Sequence, residues 1–523
     1  MLFSESNEVF YNKVQVFNRD LSIHVIKYFA ETNWSARAAE SAKSNGIVIL
    51  DALAATALRS IRYTKEIPGV RKVVANDLDA AAVEAARKNA EFNNVEAGKL
   101  DVLQGDATLL MYTRRSHEQQ FDVIDLDPYG SAAPFVDGAV QAVKSGGLLC
   151  VTSTDMAVLG GANTEACFAK YGSMPTKGKY LHEMALRILL HLLDSSATKY
   201  KRHVVPVLSL SIDFYVRIFV RVFDSPSQAK AATARRGYVM QSTTCSSFFV
   251  QPMCRTAGNN LKPAVMIPEA AVCPQTGGHM KLGGPLWTAP IHDEQWVLAL
   301  LARIERYKGG TPPATAPRIK SMLTTVSEEL FDVPLHYNLA DICSHLHCTA
   351  PPLPTFRAAV INAGYRISAQ HKDPGAIKTD APDDVIWDIM RCWVKTHPVS
   401  AKRLKPDTAA FKILSKEPKH EADFSPVQGS MLRRVSRFHQ NPEPFWGPKS
   451  RATGKRKADE APAGGEAKKG KEGGAAGNDV LVQGQGKEAG GSAAAEAPAE
   501  ANAAAADGGG AAVEVADAQA ETK

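Results

Sequence analysis

The segment from residue 47 to residue 59 reads Ile47-Val48-Ile49-Leu50-Asp51-Ala52-Leu53-Ala54-Ala55-Thr56-Ala57-Leu58-Arg59. Its β-branched apolar start is typical of a buried strand. Similar runs alternate with helical apolar spacing downstream. The predicted strands cover residues 47–53, 72–78, 100–105, 121–127, 148–153 and 204–219, and the clearest predicted helix covers 80–93. This alternation predicts a doubly wound α/β domain, whose parallel sheet is covered on both faces. The irregular last stretch favours an antiparallel edge pair.

Length and composition exclude several classes of protein. A chain of 523 residues with 45% apolar and 22% charged residues predicts several globular domains. No apolar run reaches the roughly 20 residues of a membrane helix, so we expect no membrane-spanning segment. The first residues lack the basic and apolar regions of a secretory signal. Eight irregularly spaced cysteines favour a reducing compartment over a disulfide framework.

The charge is unevenly distributed along the chain. Residues 451–523 carry 9 basic against 12 acidic side chains, so residues 1–450 carry 52 basic against 43 acidic ones. A basic body favours a polyanionic partner such as a nucleic acid. The stretch 451–523 has no aromatic residue and is predicted to be a disordered Ala/Gly-rich tail. Its run Lys455-Arg456-Lys457 is either a nuclear-import signal or a solvated basic run.

The chain is predicted to divide into an α/β domain (1–223), an irregular segment (224–292), a C-terminal RNA-binding domain (293–448) and the tail (449–523). Within the third part, predicted helices at 339–347 and 355–363, strands at 365–368 and 377–379, and a helix at 383–394 resemble a winged helix. The second helix and the wing carry Arg357, Arg366, Lys372 and Lys378. We therefore expect this α+β unit to contribute contacts to RNA.

Four predicted strands end in an acid: Asp51, Asp77, Asp106 and Asp127. Each alone is also explained as a helix N-cap. In an open α/β sheet, however, ligands bind beyond the carboxyl ends of the strands, and four acids there indicate more than capping. The acid after the second strand is placed to bind a ribose diol, and the acid after the third to meet an adenine amine. A nucleoside-bearing cofactor is predicted.

The turn after the first strand narrows the choice of cofactor. It has neither a G-x-G-x-x-G nor a G-x-x-x-x-G-K motif, so it offers no phosphate cradle. S-adenosyl-L-methionine carries no phosphate and needs only a tight turn of small residues. The sheet therefore favours a methyltransferase over a dehydrogenase or an NTPase.

Asp127-Pro128-Tyr129-Gly130 is the sharpest chemical signal. The exocyclic amine of a nucleobase is a poor nucleophile because its lone pair is delocalised into the ring. A carboxylate and a backbone carbonyl that accept its two N–H groups can direct the lone pair at a methyl group. Pro128 would aim its carbonyl beside Asp127, and Tyr129 would stack on the base. The alternative is an ordinary strand-ending turn.

These motifs resemble the tRNA (guanine-26, N2)-dimethyltransferase family over residues 8–449. The landmarks, in order, are Val9-Phe10-Tyr11-Asn12, Asn18-Arg19-Asp20-Leu21-Ser22, 51–63, Asn76-Asp77, Gly105-Asp106-Ala107, Asp127-Pro128-Tyr129-Gly130, Gly283-Gly284-Pro285-Leu286-Trp287, Leu353-Pro354-Thr355-Phe356-Arg357, Lys378-Thr379-Asp380-Ala381-Pro382 and Trp387-Asp388-Ile389-Met390-Arg391-Cys392-Trp393.

The resemblance implies a Rossmann-like class I methyltransferase that adds two methyl groups from S-adenosyl-L-methionine to a guanine amine of tRNA. It implies cofactor contacts from Arg19, Asp51, Arg59, Asp77, Asp106 and Ala107. Asp127, Pro128 and Tyr129 would handle the base. We expect a nuclear protein, with the mitochondrion or a plastid as alternatives, and infer no obligate protein partner.

Two departures from the family pattern matter. Ala57 stands where relatives often have glycine, and Lys13 where they have proline; we expect both to be tolerated if φ stays negative. Two C-x-x-C pairs of relatives are reduced to single cysteines, Cys245 and Cys273. Cys254 and His279 do not restore zinc spacing, so no metal is expected.

The departures keep other functions open. The rivals are a methyltransferase for another amine, such as adenine N6 or a protein glutamine, and a tRNA-binding chaperone that has lost catalysis.

Overall fold

The computed structural model describes residues 12–38, 46–258, 260–306, 313–429 and 436–439. The predicted tail at 449–523, its basic run and the landmark residues 9–11 lie outside the described residues. None of the helices in the described ranges is long and apolar enough to cross a membrane.

A seven-stranded sheet organises the first half of the chain. Its strands are β1 (Ile47–Asp51), β2 (Val70–Asp77), β3 (Leu100–Gln104), β4 (Phe121–Leu126), β5 (Val143–Ser153), β6 (Arg202–Ile212) and β7 (Tyr215–Asp224), in the order β3-β2-β1-β4-β5-β7-β6. Strands β1 to β5 pair in parallel, whereas β7 runs antiparallel to both β5 and β6. The predicted α/β fold and its antiparallel edge pair are confirmed.

Helices cover both faces of this sheet. They are α1 (Val16–Ala38), α2 (Leu58–Glu66), α3 (Ala80–Phe92), α4 (Ala107–Thr113), α5 (Ala133–Ala142), α6 (Met156–Leu159), α7 (Thr164–Tyr171) and α8 (Leu181–Thr198). Successive residues of a strand point to opposite faces, so Ile49 and Leu50 of β1 join different apolar clusters. Both are fully buried, as a sheet between two helical layers requires.

The segment 224–292 is more regular than the sequence predicts. After α9 (Pro226–Lys230) come β8 (Arg236–Ser242), β9 (Phe248–Pro252), β10 (Cys254–Ala257), β11 (Asn260–Pro263) and β12 (Met280–Trp287). Strands β12, β8 and β9 form an antiparallel sheet, and β10 pairs with β11. The strands are short, and the register shifts between Gly283 and Leu286, which hides the alternation.

The last part contains the predicted order of helix, helix, strand, strand and helix. Its elements are α10 (Glu294–Glu305), α11 (Ala316–Ser327), β13 (Tyr337–Asn338), α12 (Leu339–Leu346), α13 (Leu353–Asn362), β14 (Ile367–Ser368), β15 (Ala376–Thr379), α14 (Asp383–Thr396) and α15 (Ala409–Leu414). The unpredicted β13 pairs with β15. Phe356 and Trp387 are fully buried in a separate apolar cluster there. Short 3-10 helices lie at Lys13–Gln15, Ala231–Arg235, Pro268–Ala270 and Ala401–Arg403.

The cations expected to contact RNA are largely engaged within the protein. Lys378 is buried and donates to Glu183 at 2.9 Å. Arg357 is buried, and Lys372 donates to a backbone carbonyl at 2.9 Å. Arg366 is exposed but ion-paired with two aspartates. These side chains therefore hold the small unit together and against the sheet layer.

Candidate active site

The carboxyl ends of the parallel strands form one edge, and the four predicted acids lie along it. Asp51 and Asp77 are the last residues of β1 and β2, Asp106 follows β3, and Asp127 directly follows β4. In the sheet order, β1 lies between β2 and β4. At about 4.8 Å per strand, Asp77 and Asp127 are about 10 Å apart across the edge. The two residues therefore lie at the same edge of the sheet.

Hydrogen bonds between side chains and the backbone fix the turns at this edge of the sheet. The amide N–H of Ala55 donates to Asp77 Oδ2 at 2.8 Å. Asn76, which is buried, donates from Nδ2 to the carbonyls of Ala52 at 3.1 Å and Gly105 at 3.0 Å. One side chain of β2 thus ties together the turns that follow β1 and β3. The carboxylate of Asp77 is held in place before any ligand arrives.

Ala57 departs from the expectation for the first turn. Its φ is 56°, in the left-handed region, so the condition under which the alanine is tolerated without strain is not met. Ala55 also has a positive φ, of 46°. The chain must reverse between β1 and α2 within a few residues, and this turn imposes a conformation that favours glycine. An alanine there costs about 1–2 kcal/mol.

Asp106 has the capping role that was the alternative explanation for each acid. Its Oδ1 accepts the amide N–H of Leu109 at 2.7 Å, at the N-terminus of α4. Leu109 and Leu78 are nevertheless 64% and 67% exposed. Large apolar side chains beside carboxylates at one edge match the apolar faces and polar rim of an adenosine. The residues present therefore fit the cofactor that the sequence predicts.

The turn Asp127-Pro128-Tyr129-Gly130 is anchored to the end of β5. Gly130 N–H donates to Thr154 Oγ1 at 2.8 Å, and Thr154 N–H donates back to the carbonyl of Gly130 at 2.9 Å. Pro128 is buried, while Tyr129 is 67% exposed. The turn is held in place, and the exposed ring of Tyr129 presents an aromatic surface at this edge of the sheet.

Beside Asp127 lies a buried acid that sequence reasoning missed. Asp125 Oδ2 accepts from Tyr63 Oη at 2.5 Å, and Asp125 Oδ1 accepts from Arg217 Nη1 at 2.7 Å. Arg59 forms ion pairs with Asp125, at 3.6 Å, and with Asp127. Burial alone would raise the pKa of Asp125, but the guanidiniums of Arg217 and Arg59 lower it. Asp125 and Arg217 each interrupt an apolar strand, and that signal predicts a buried ion pair.

Asp51 differs from the other predicted cofactor residues. It is buried, and its Oδ2 accepts from Ser60 Oγ at 2.6 Å. Burial, reinforced by the negative charge of Asp125, raises the pKa of Asp51 to about 7. Asp51 is therefore partly protonated at neutral pH.

The two predicted arginines occupy different positions. Arg19, on α1, is buried and donates from Nη2 to the carbonyl of Asn12 at 3.3 Å. Its neighbour Asn18 donates from Nδ2 to Asp127 Oδ1 at 3.4 Å. The guanidinium of Arg59 also donates to Ser22 Oγ, at 3.3 Å. In this structure Arg59 therefore contacts the predicted catalytic carboxylate directly.

In the described part of the chain, one group of three side chains could hold a metal ion. The group consists of His292, Glu329 and His371. His371 Nδ1 is 2.8 Å from Glu329 Oε1, and its Nε2 accepts the N–H of Ser211 at 3.0 Å. Lys378 Nζ also lies 3.9 Å from Glu329. Hydrogen bonds occupy both ring nitrogens of His371 and a cation is near, so we assign this group to packing.

Cys245 and Cys273, the single cysteines left from the two C-x-x-C pairs, are in contact. Their sulfur atoms, Cys245 Sγ and Cys273 Sγ, are 3.6 Å apart, and Cys245 Sγ also contacts the hydroxyls of Ser242 and Ser247. Across the described ranges, neither Cys254 nor His279 joins them in a group of three ligand atoms.

The fold and this edge of acids define a Rossmann-like methyltransferase. A family model described as N2,N2-dimethylguanosine tRNA methyltransferase matches residues 1–391, and the chain belongs to this family. Trm1 from Pyrococcus horikoshii, solved in complex with S-adenosyl-L-methionine, has a TM-score of 0.62 and 27% identity, covering 74% of this chain and 95% of that one.

Characterised relatives cover most of the chain. The tRNA (guanine(26)-N(2))-dimethyltransferase 2 of Arabidopsis thaliana is 43% identical over 86% of this chain and 87% of its own. The human tRNA (guanine(26)-N(2))-dimethyltransferase is 42% identical over 88% and 77%, respectively. A mitochondrial relative from Saccharomyces cerevisiae is 36% identical over 86% and 90%.

Proposed function

We propose that this protein transfers two methyl groups in succession from S-adenosyl-L-methionine to the exocyclic N2 amine of guanine 26 in tRNA. The observation that carries the proposal is the turn Asp127-Pro128-Tyr129-Gly130. It lies at the same sheet edge as Asp77, in a chain of the N2,N2-dimethylguanosine tRNA methyltransferase family.

The proposed cofactor contacts are Arg19, Asp51, Arg59, Asp77, Asp106 and Ala107. Each oxygen of Asp77 accepts one backbone N–H, from Ala55 at 2.8 Å and from Asp79 at 3.0 Å, and keeps a lone pair for a ribose hydroxyl. Arg19 would bind the carboxylate of the methionine moiety. The bound cofactor supplies an electrophilic methyl group on a sulfonium.

The proposed catalytic group is Asp127 with Pro128 and Tyr129. The Asp127 carboxylate accepts one N–H of the guanine amine, the carbonyl of Pro128 accepts the other, and the lone pair of N2 points at the methyl carbon. In each transfer the N2–carbon bond forms and the carbon–sulfur bond breaks. The proton released from N2 passes to Asp127, whose 19% exposed side chain can return it to solvent.

Base extrusion sets a requirement for further RNA contacts. Removing a paired base from its stack costs a few kcal/mol. Stacking on Tyr129 returns about 1–3 kcal/mol. The rest must come from the basic body, and we propose residues 293–448 as the tRNA-binding domain. Residues 1–223 form the catalytic domain, 224–292 an irregular, degenerate zinc-ribbon-like segment, and 449–523 the tail.

We propose the nucleus as the site of action, with the mitochondrion and a plastid as alternatives. The support is the basic run Lys455-Arg456-Lys457. A fluorescent fusion in which the three residues are changed to alanine should lose nuclear enrichment. An unchanged distribution would remove this support.

Nucleoside analysis tests the proposed reaction. A tRNA transcript with guanine at position 26 should yield N2-methylguanosine and then N2,N2-dimethylguanosine, and a transcript with adenine there should yield neither. Asp127→Ala should abolish transfer while its S-adenosyl-L-methionine affinity stays within about twofold, because catalysis and binding use different side chains. As a matched control, Asp101→Ala should remain active, because this side chain on β3 is 41% exposed and pairs with Lys72.

The same experiment separates the rival functions. Methylated adenine or methylated glutamine would identify another amine as the substrate. Binding of tRNA without calorimetric heat from S-adenosyl-L-methionine would indicate a chaperone. Full activity of Asp127→Ala would remove Asp127 from the mechanism.

A further inference from the structure

Arg217 is a fully buried cation on the strand next to one edge of the sheet. It lies on β7, the antiparallel strand next to β5, and its side chain has no exposed surface. Nη1 donates to Asp125 Oδ1 at 2.7 Å and to Thr152 Oγ1 at 2.9 Å. Nη2 donates to Ser22 Oγ at 2.8 Å. One guanidinium therefore joins α1, β4 and β5.

Two chains of contacts lead from Arg217 to the carboxylate of Asp127. The first passes through Asp125 and Arg59, which forms ion pairs with both acids. The second passes through Thr152, whose Oγ1 also accepts from Asn18 Nδ2 at 3.4 Å. Asn18 Nδ2 in turn lies 3.4 Å from Asp127 Oδ1. Each oxygen of Asp127 is therefore met by a side chain whose own position depends on Arg217.

The charges of this group balance. The two carboxylates of Asp125 and Asp127 face the two guanidiniums of Arg59 and Arg217. The mutual attraction raises the pKa of both arginines against the opposing effect of burial. A buried group of this kind tolerates little displacement, because moving one ion leaves another without a partner.

We propose that Arg217, acting through Asp125 and Arg59, is a positioning residue that fixes the carboxylate of Asp127 for attack by the guanine amine. This inference rests on the proposed function of the site. Arg217 is fully buried, and it acts on Asp127 through other side chains. Its role is to set the direction in which Asp127 accepts the N–H of the base, and a misplacement of 1 Å in such a site costs about 100-fold in rate.

Steady-state kinetics of Arg217→Lys test this role. Lysine keeps the buried charge but replaces the planar fork with one ammonium, so it cannot reach Asp125, Thr152 and Ser22 together. We expect kcat to fall about 10- to 100-fold, with the KM for tRNA within about twofold. The matched control is Arg221→Lys on the same strand. Arg221 donates to the carbonyl of Gly146 at 2.8 Å, and its replacement should leave kcat unchanged.

Two further variants keep the test decisive if Arg217→Lys folds poorly. Thr152→Val removes the hydroxyl shared by Arg217 and Asn18 at nearly constant volume, and should lower kcat several-fold with KM unchanged. In a Thr152→Val background, Arg217→Lys should cost less kcat than it does alone, since both side chains act on Asp127 through shared contacts.

Specific outcomes would overturn the positioning role. They are a kcat of Arg217→Lys and Thr152→Val equal to that of the wild type, or a fully additive loss when the two substitutions are combined. A wild type that methylates a different base, with Arg217→Lys still impaired, would instead overturn the proposed substrate alone.

Discussion

Lys378 of strand β15 donates a hydrogen bond of 2.9 Å to the buried carboxylate of Glu183 in helix α8. Glu183 also accepts from Arg187 at 2.7 Å and from the N–H of Leu335 at 2.8 Å. Burial would raise the pKa of Glu183, but the charges of Lys378 and Arg187 lower it. The carboxylate is therefore ionised and links the small C-terminal unit to the helical layer on the sheet.

Lys378→Met should destabilise the protein strongly. It removes one cation from a buried carboxylate, and breaking such a pair costs about 3–5 kcal/mol, with the lower value expected because Arg187 remains. Urea unfolding measures the loss. Arg366→Met, which removes an exposed cation paired with Asp332 and Asp380, is the control and should barely move the midpoint. Similar losses for both variants would argue against the buried link.

Asp383 should make stability fall as the pH rises. Burial, opposed by hydrogen bonds from Ser247 and Gln275, raises the pKa of Asp383 to about 6 from its ordinary 3.8. The folded state therefore binds the proton more tightly, and its contribution is present below pH 4 and lost between about pH 4 and 6. A shift of about two units corresponds to about 3 kcal/mol.

The difference between wild type and Asp383→Asn isolates this contribution. Urea unfolding at pH 4, 5, 6 and 7 should show the free energy of the wild type falling relative to that of the variant. Parallel pH profiles would show that Asp383 titrates alike in the folded and unfolded states.

Ala57→Gly should be neutral or stabilising. The left-handed φ of 56° at Ala57 costs an alanine about 1–2 kcal/mol, while deleting its buried methyl loses about 0.8 kcal/mol. The net gain is up to about 1 kcal/mol in the free energy of unfolding. The control is Ala82→Gly within α3, also buried, where glycine should destabilise by about 0.5–1 kcal/mol from the helix and about 0.8 kcal/mol from the lost methyl. Equal losses for both substitutions would mean that the turn does not strain Ala57.

Treatment with a zinc chelator should leave the thermal stability of the protein unchanged. Structural zinc sites need four ligands, and Cys245 and Cys273 meet as a pair bonded to serine hydroxyls. We expect the Tm to be the same with and without EDTA. Elemental analysis should find less than one zinc per chain. A stoichiometric metal whose removal lowers the Tm would contradict this prediction.

Much of the fold follows from local patterns. The strands ending at Asp51 and Asp77 could be predicted because buried parallel strands are continuous apolar runs. The sheet β12-β8-β9 could not, because short strands with a register shift lose their alternation. The positive φ of Ala57 also escaped prediction, since the backbone angle depends on how sharply the chain must reverse onto the sheet.

The local pattern of the chain is enough to place Asp51, Asp77, Asp106 and Asp127 at one edge of the sheet. Each acid follows a predicted strand, and parallel strands always bring their carboxyl ends together. The contacts that hold Asp127 depend instead on the three-dimensional fold. Arg217 is 92 residues from Asp125 in the chain, and their contact depends on strand order and on the register of β7 against β5. Those are set by the packing of the whole sheet, which no local pattern records.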